Sequence, residues 1–262
     1  MNKAAALFLG LTLPFCLNAQ ISLGPTVATF GVLGGSTVTN TGSSVVAGNL
    51  GVSPGSAITG FPPGTVTGSI NSANSLAATA QGELTTAYNL AAGAMSTSGV
   101  PANIGGLTLT PGVYTVASSL GLTGTVTLDG QGNPNSQFIF QIGSTLTTAS
   151  GSSVLLINNA QASHVFWQVG TSATLGTTSS FAGNILALSS ITVTTGATLQ
   201  GRALARNGAV TLDTNTVNAP GFSPPPPPIT PAPSSLILIT TALMCLGMYQ
   251  MRDRLLRPFR RG

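Results

Sequence analysis

One short pattern constrains this chain more than any other: a threonine, an aliphatic residue, any residue, then a threonine. It occurs as Thr145-Leu146-Thr147-Thr148, Thr174-Leu175-Gly176-Thr177, Thr192-Val193-Thr194-Thr195 and Thr211-Leu212-Asp213-Thr214, with starts 29, 18 and 19 residues apart. Self-similarity at such a step marks a repeat architecture, in which stacked units bury a continuous core. A second pattern, a small or hydroxyl residue, an apolar residue, any residue, then glycine, appears at Thr65–Gly68, Ser180–Gly183 and Thr198–Gly201. Apolar stretches precede the threonine patterns, at Phe138 to Ile142, Val165 to Val169, Ile185 to Leu188 and Ala203 to Ala205.

A step of 18 to 19 residues fits one turn of a coil with three short strands and Gly or Asn corners. Successive side chains of a strand point to opposite faces. Leu146, Leu175, Val193 and Leu212 are therefore expected inside, stacked on one another, with Thr145, Thr174, Thr192 and Thr211 stacked outside. Residues 71–97 break the pattern. Leu76, Ala80, Leu84, Ala87, Tyr88, Ala91 and Met95 recur at steps of three and four, while Gln81, Thr85 and Asn89 fall on another face. This predicts an amphipathic helix, with Asn71 or Ser72 as its cap and with Tyr88 and Met95 in the core. The fold class is thus all-β with one long helix: a three-sided β-solenoid (β-helix) with an α-helix packed along one side.

Charge narrows the function. Charged residues are 5% of the 262, against about 25% in ordinary soluble domains. The formal net charge of +4 belongs to the ends. Between Ile21 and Pro220 the charged residues are Glu83, Asp129, Arg202, Arg206 and Asp213, a net of −1. A nucleic-acid binder needs clustered Lys and Arg to neutralise phosphates, so no nucleic-acid partner is expected. A polysaccharide-degrading solenoid needs paired carboxylates or a metal. Here Glu83 lies on the helix, Asp129 and Asp213 lie in separate coils, and His164 is the one histidine. The chain is read as no enzyme, with no cofactor or metal site. Arg202 and Arg206 are read as pairing with Asp213.

The ends are sorting segments. Residues 1–19 have Lys3, an apolar run from Ala4 to Leu17, and Leu17-Asn18-Ala19 before Gln20, the form of a secretory signal peptide. Residues 20–222 are the solenoid domain. Residues 223–233 form a Pro-rich linker, extended by its five consecutive prolines. Residues 234–262 are an apolar stretch followed by an arginine cluster, suited to the cytoplasmic side of a membrane. Pro231-Ala232-Pro233-Ser234-Ser235 with this tail resembles the PEP-CTERM sorting signal of exported bacterial surface proteins, with Ala232 where that family has Glu. The resemblance implies a membrane protease as processing partner; the alternative is a permanent transmembrane anchor. Either way the protein is secreted or attached to the cell surface. Both cysteines, Cys16 and Cys245, fall in the end segments.

The body carries an ordered series of motifs: Asn49-Leu50-Gly51-Val52-Ser53-Pro54-Gly55, Gly60-Phe61-Pro62-Pro63-Gly64, the helix, Leu107-Thr108-Leu109-Thr110-Pro111-Gly112-Val113-Tyr114, Phe138-Ile139-Phe140-Gln141-Ile142-Gly143, Val165-Phe166-Trp167-Gln168-Val169-Gly170, and the run from Gly201 to Val210. Over residues 24–219 this resembles a family of microbial ice-binding proteins built on a discontinuous β-solenoid with one flanking helix. The resemblance implies that N-terminal strands complete coils begun by the C-terminal part, and that the partner is an ice crystal surface. It also implies a binding motif of Thr, Ala or Gly, any residue, then Thr or Asn. Thr195-Gly196-Ala197-Thr198 fits it fully; Thr171–Thr174, Thr177–Ser180 and Thr41–Ser44 fit less closely. The candidate ice-binding residues are Thr145, Thr147, Thr174, Thr192, Thr194 and Thr211, with Thr177, Thr195 and Thr198 near the edge. A monomer is expected. A surface adhesin or matrix protein is the alternative function, since the sorting tail suits it equally.

Overall fold

The structure, a computed structural model, describes residues 20–223. The leader, the tail and all but the first residue of the Pro-rich linker lie outside the described residues.

The in–out alternation read from the threonine patterns is what the chain adopts. Leu146, Leu175, Val193 and Leu212 are all buried. The coils are three-sided, and every strand pair within the two sheets is parallel. Face a carries the long apolar strands, among them Gly112–Val116, Phe138–Ile142 and Val165–Val169. Face b is a seven-stranded sheet in the order Leu120–Leu122, Leu146–Thr148, Ala173–Leu175, Ile191–Val193, Val210–Asp213, Thr37–Thr41, Ala57–Thr59. Face c holds Thr125–Asp129, Ser153–Ile157, Thr216–Asn218 and Val45–Ala47 among others. Two strands, Ser180–Ala187 and Thr198–Ala205, bend from face c onto face a at Gly183 and Gly201.

The strand order exposes the discontinuity. The N-terminal coil, Phe30–Gly34, Thr37–Thr41 and Val45–Ala47, stacks on the C-terminal coil, pairing Val32 with Ala203, Thr39 with Thr211, and Val46 with Val217. The next coil, Asn49–Val52, Ala57–Thr59 and Thr65–Val66, extends the stack, which ends with Ile70–Ser72. The helix then carries the chain back towards the opposite end, where Ser98–Gly99 pairs with Gly112–Val116.

The helix, α1, spans Ser75–Gly93 and not 71–97. Residues Ile70–Ser72 are taken by the strand ladder, and Ala73 turns the chain with a φ of 48°. The cap is Asn74, not Asn71 or Ser72; its side-chain oxygen accepts from the Ala77 N–H at 2.9 Å, satisfying a donor the helix cannot pair itself. At the other end Gln141, on face a, donates from Nε2 to the carbonyls of Ala91, Ala92 and Ala94. Ala80, Leu84, Ala87, Tyr88 and Ala91 bury against Leu33, Val113, Ile139, Phe166, Leu186 and Leu204 of face a. Met95 does not join this core: it follows the helix end and is 79% exposed, and Leu76 is 40% exposed. Gln81 is not on a free face either, because it donates to the carbonyls of Gly34 and Ala205.

Inside the coils an aromatic column runs along the axis. Tyr114 and Phe140 stack at 5.4 Å, Phe140 and Trp167 at 3.9 Å, and Trp167 meets Phe181 at 4.9 Å. Such pairs add about 0.5–1.5 kcal/mol each beyond area burial. Trp167 satisfies its indole N–H on the Ala182 carbonyl at 3.0 Å. Gly183, with φ of 115°, makes room: a Cβ there would lie 2.6 Å from the indole nitrogen.

The corner between faces b and c is built one way six times. Gly124, Gly151, Thr178, Gly196, Thr214 and Gly42 all have positive φ, the left-handed region that lets a strand turn sharply. The edge between faces c and a differs. Most coils cross it through a single glycine, such as Gly48, Gly183 or Gly201. Two coils carry insertions there, between Asp129 and Phe138 and between Ile157 and Val165. The first lengthens the repeat to the 26 residues that separate Gly121 from Thr147, the second to the 27 that separate Thr147 from Thr174.

Candidate functional site

Helix α1 covers face a, whereas among the described residues no α-helix lies on faces b and c. The register of face b places Thr147 beside Thr174, Thr174 beside Thr192, Thr192 beside Thr211, Thr211 beside Thr39, and Thr39 beside Thr59. Six threonines stand in one outward row across six neighbouring strands. At a strand spacing of about 4.8 Å the row is roughly 24 Å long. For Thr147, Thr174, Thr192, Thr211 and Thr39 the residues on either side are buried, which holds the row in place; Thr59 ends its strand with Ile58 before it.

The sequence-predicted site is therefore partly assembled and partly dispersed. Thr147, Thr174, Thr192 and Thr211 form the centre of the row. Thr145 is not in register with Thr174, as the matching pattern implied. The pattern sits two residues later in the second coil: Ile142 pairs with Val169 and Leu146 stacks on Ala173 instead of Leu175, so Thr145 lies at the face margin, its hydroxyl donating to Ser119 Oγ at 2.7 Å. Thr194 also faces out, but its hydroxyl donates to the Leu175 carbonyl at 2.7 Å and is half-buried. Thr177 and Thr195 sit at the b–c corner. Thr195 donates to the Asp213 carboxylate, which also accepts from Thr214. Thr198 belongs to face c, in register with Ser180 and Thr216.

Thr39 and Thr59 are the members that sequence reasoning missed. The motif sought required an apolar residue after the first threonine, and Thr39 is followed by Asn40. Asn40 occupies the inward position that Leu212 fills in the next coil. Its Nδ2 is satisfied there by the carbonyls of Gly42 and Gly60, both at 2.8 Å. The step of 20 residues between Thr39 and Thr59 was the available signal.

The expected ion pairs with Asp213 do not form. Arg202 is 4% exposed and donates to the carbonyls of Ala28 and Pro220 and to Asn184 Oδ1. Burial lowers its pKa from the usual arginine range to about 10. Arg206 lies over the Tyr88 ring, 4.7 Å from its centroid, beneath the helix. Glu83 accepts from the Val27 N–H, Asp129 from the Gln131 N–H and from Asn158, and His164 lies with Nδ1 2.9 Å from the Pro134 carbonyl oxygen. Among the described residues no group of three His, Cys, Asp or Glu side chains is placed to hold a metal. Among them, too, no helix is long and apolar enough to cross a membrane.

These features define a class: a parallel three-sided solenoid with its own covering helix on one face and a rigid, hydroxyl-lined plane on another. The chain belongs to the ice-binding-like family, whose model matches residues 32–218. It is 53% identical over 248 residues to an ice-binding protein of Nostoc sp. (strain HG1), covering 93% of this chain and 90% of that one. It is 38% identical over 224 residues to ice-binding protein 1 of Shewanella frigidimarina (strain NCIMB 400), covering 73% of this chain but only 25% of that protein. Among solved structures, an ice-binding protein from an Antarctic biological consortium superposes with a TM-score of 0.74 at 51% identity, covering 76% of this chain and 90% of that chain.

Proposed function

We propose that this protein adsorbs to ice through face b and inhibits ice growth or recrystallisation. The observation that carries the site is the unbroken row Thr147, Thr174, Thr192, Thr211, Thr39 and Thr59. Ice presents neither charge nor pocket, so its binder needs area, flatness and rigidity. Parallel strands fix the spacing. The β-branch of threonine restricts χ1, so little rotamer freedom is lost on contact. Each hydroxyl donates and accepts, and can hold a lattice water, while the methyl group disfavours disordered hydration. A Lys or Glu would keep its own tightly held water. Both insertions of the longer coils protrude at the c–a edge, beside face c and away from face b. In this reading Thr145, Thr177 and Thr195 border the contact, Thr194 braces the coil, and Thr198 belongs to the neighbouring plane.

The protein works outside the cytoplasm in this proposal. Residues 1–19 act as the export leader, and residues 234–262 act as a sorting signal cut by a membrane protease, or as an anchor. The domain acts as a monomer. The deciding experiment is ice recrystallisation inhibition by the purified protein and by Thr192→Tyr. Inhibition that the substitution abolishes, with circular dichroism unchanged, supports the proposal. An inactive unsubstituted protein refutes it and leaves the adhesin or matrix role.

A further inference from the structure

We propose that Asp213 sets the margin of the ice-contacting plane: its carboxylate ends the contact just beyond Thr211 and keeps it off the corner with face c. This rests on the reading of face b as that plane. Outward positions recur every second residue along a strand, so a second outward column flanks the threonine row on the corner side. It holds Thr194, Asp213 and Thr41, since Val193 pairs with Leu212 and Asp213 pairs with Thr41. Leu212, between Thr211 and Asp213, is buried, and Asp213 is half-buried on the same face as Thr211. Two residues of strand separate the pair by about 7 Å. Of the charged residues between Ile21 and Pro220, Asp213 is the one on face b. Glu83 lies on α1, Asp129 on face c, and Arg202 and Arg206 on the side of face a.

A carboxylate at that place interrupts an otherwise uncharged plane. Ionised, it accepts at about four lone-pair sites and donates at none. Two hydroxyls fill part of that demand: Thr195 donates to Oδ2, and Thr214 to Oδ1 at 3.1 Å. Solvent water meets the rest, with its hydrogens turned towards the charge. Water in an ice lattice has its orientation set by its own neighbours, and stripping hydration from a charge without replacing it is costly. The same two hydroxyls have committed their protons to the carboxylate, so they offer ice acceptors only. The lattice therefore meets the row of Thr192, Thr211 and Thr39 and stops short of the column from Thr194 to Thr41. Removing the charge widens the contact by that column.

The test measures thermal hysteresis of the full chain over a concentration series, with circular dichroism on each protein. Four are compared: the unsubstituted protein, Asp213→Asn, Asp213→Thr and Thr192→Tyr. Asp213→Asn removes the charge and keeps the side-chain shape. Asp213→Thr also repeats the residue type of its neighbours Thr194 and Thr41. Both should raise hysteresis at equal concentration, Asp213→Thr about twofold, because a second column joins the row at strand spacing. Should Asp213→Thr fold poorly, Asp213→Asn decides alone. Hysteresis in the folded charge-free variants that equals or falls below the parent's overturns the proposal. A fall would make Asp213 the support of Thr195 and Thr214 within the contact and not its margin. Those outcomes leave the ice-binding reading standing. An inactive unsubstituted protein, or a Thr192→Tyr variant as active as it, overturns the reading of face b, and this inference with it.

Discussion

Arg202 donates to the carbonyl oxygen of Ala28 from both Nε, at 3.1 Å, and Nη2, at 2.6 Å, across a sequence separation of 174 residues. With Pro220 and Asn184 on its remaining donors, this one guanidinium of the C-terminal coil ties the N-terminal stretch, the residues after the last strand and the preceding coil together. Arg202→Met should leave the Ala28 and Pro220 carbonyls and Asn184 Oδ1 without those donors, at a cost of about 2–3 kcal/mol. Urea unfolding followed by circular dichroism would measure it. A midpoint equal to that of the unsubstituted protein would show that the staple is dispensable.

The threonine row predicts where substitution harms function without harming the fold. Thr174→Tyr and Thr192→Lys, at half-buried positions that face outward, should each cost no more than about 1 kcal/mol of stability, yet remove most of the thermal hysteresis. A bulky or charged group lifts a flat face from a flat lattice. Thr198→Tyr, on face c, separates the two open planes. Were it to abolish activity while Thr192→Lys spared it, face c would be the contact.

Asn89→Ala is the control on the covering helix and should leave both stability and hysteresis unchanged, because Asn89 is exposed. Gln81 cannot serve as that control. Its amide bonds Gly34 and Ala205, and Gln81→Ala should lower stability by about 1 kcal/mol, read as a shift in the urea midpoint.

The aromatic column sets the largest stability effects. Trp167→Ala empties a fully buried site between Phe140 and Phe181 and should cost about 3–5 kcal/mol. Gly183→Ala attacks the same place from the backbone, by forcing a Cβ towards the indole nitrogen at a positive φ. Calorimetry should show both variants melting well below the parent, with Trp167→Ala the lower.

The coils, the parallel strands and the existence of the helix were legible because each rests on a local period. The inward stack of Leu175, Val193 and Leu212 is correct residue for residue. What local period cannot carry is register across an insertion. Thr145 and Thr174 look equivalent in sequence, but the pattern sits two residues later in the second coil, where Ile142 pairs with Val169 and Thr147, not Thr145, pairs with Thr174. The helix start failed for a related reason. Ile70–Ser72 has residues a helix would accept, and the unfilled edge of Asn49–Val52, far from it in the helical reading, claims them as a strand. Thr39 and Thr59 stayed hidden because a polar Asn40 fills a core position through two backbone carbonyls, a contact visible only in three dimensions.

The junction between the N-terminal and C-terminal coils also sets an order in time. The row is continuous only where Thr211 meets Thr39, and around that seam Ser44 and Asn215 bond across 171 residues. Contacts this distant form late, since the intervening chain must be ordered before they are gained. The first two coils of the sequence therefore wait, unfinished on one side, for the last one to emerge. A protein truncated before Val210 would keep every N-terminal threonine and still lack the plane they belong to.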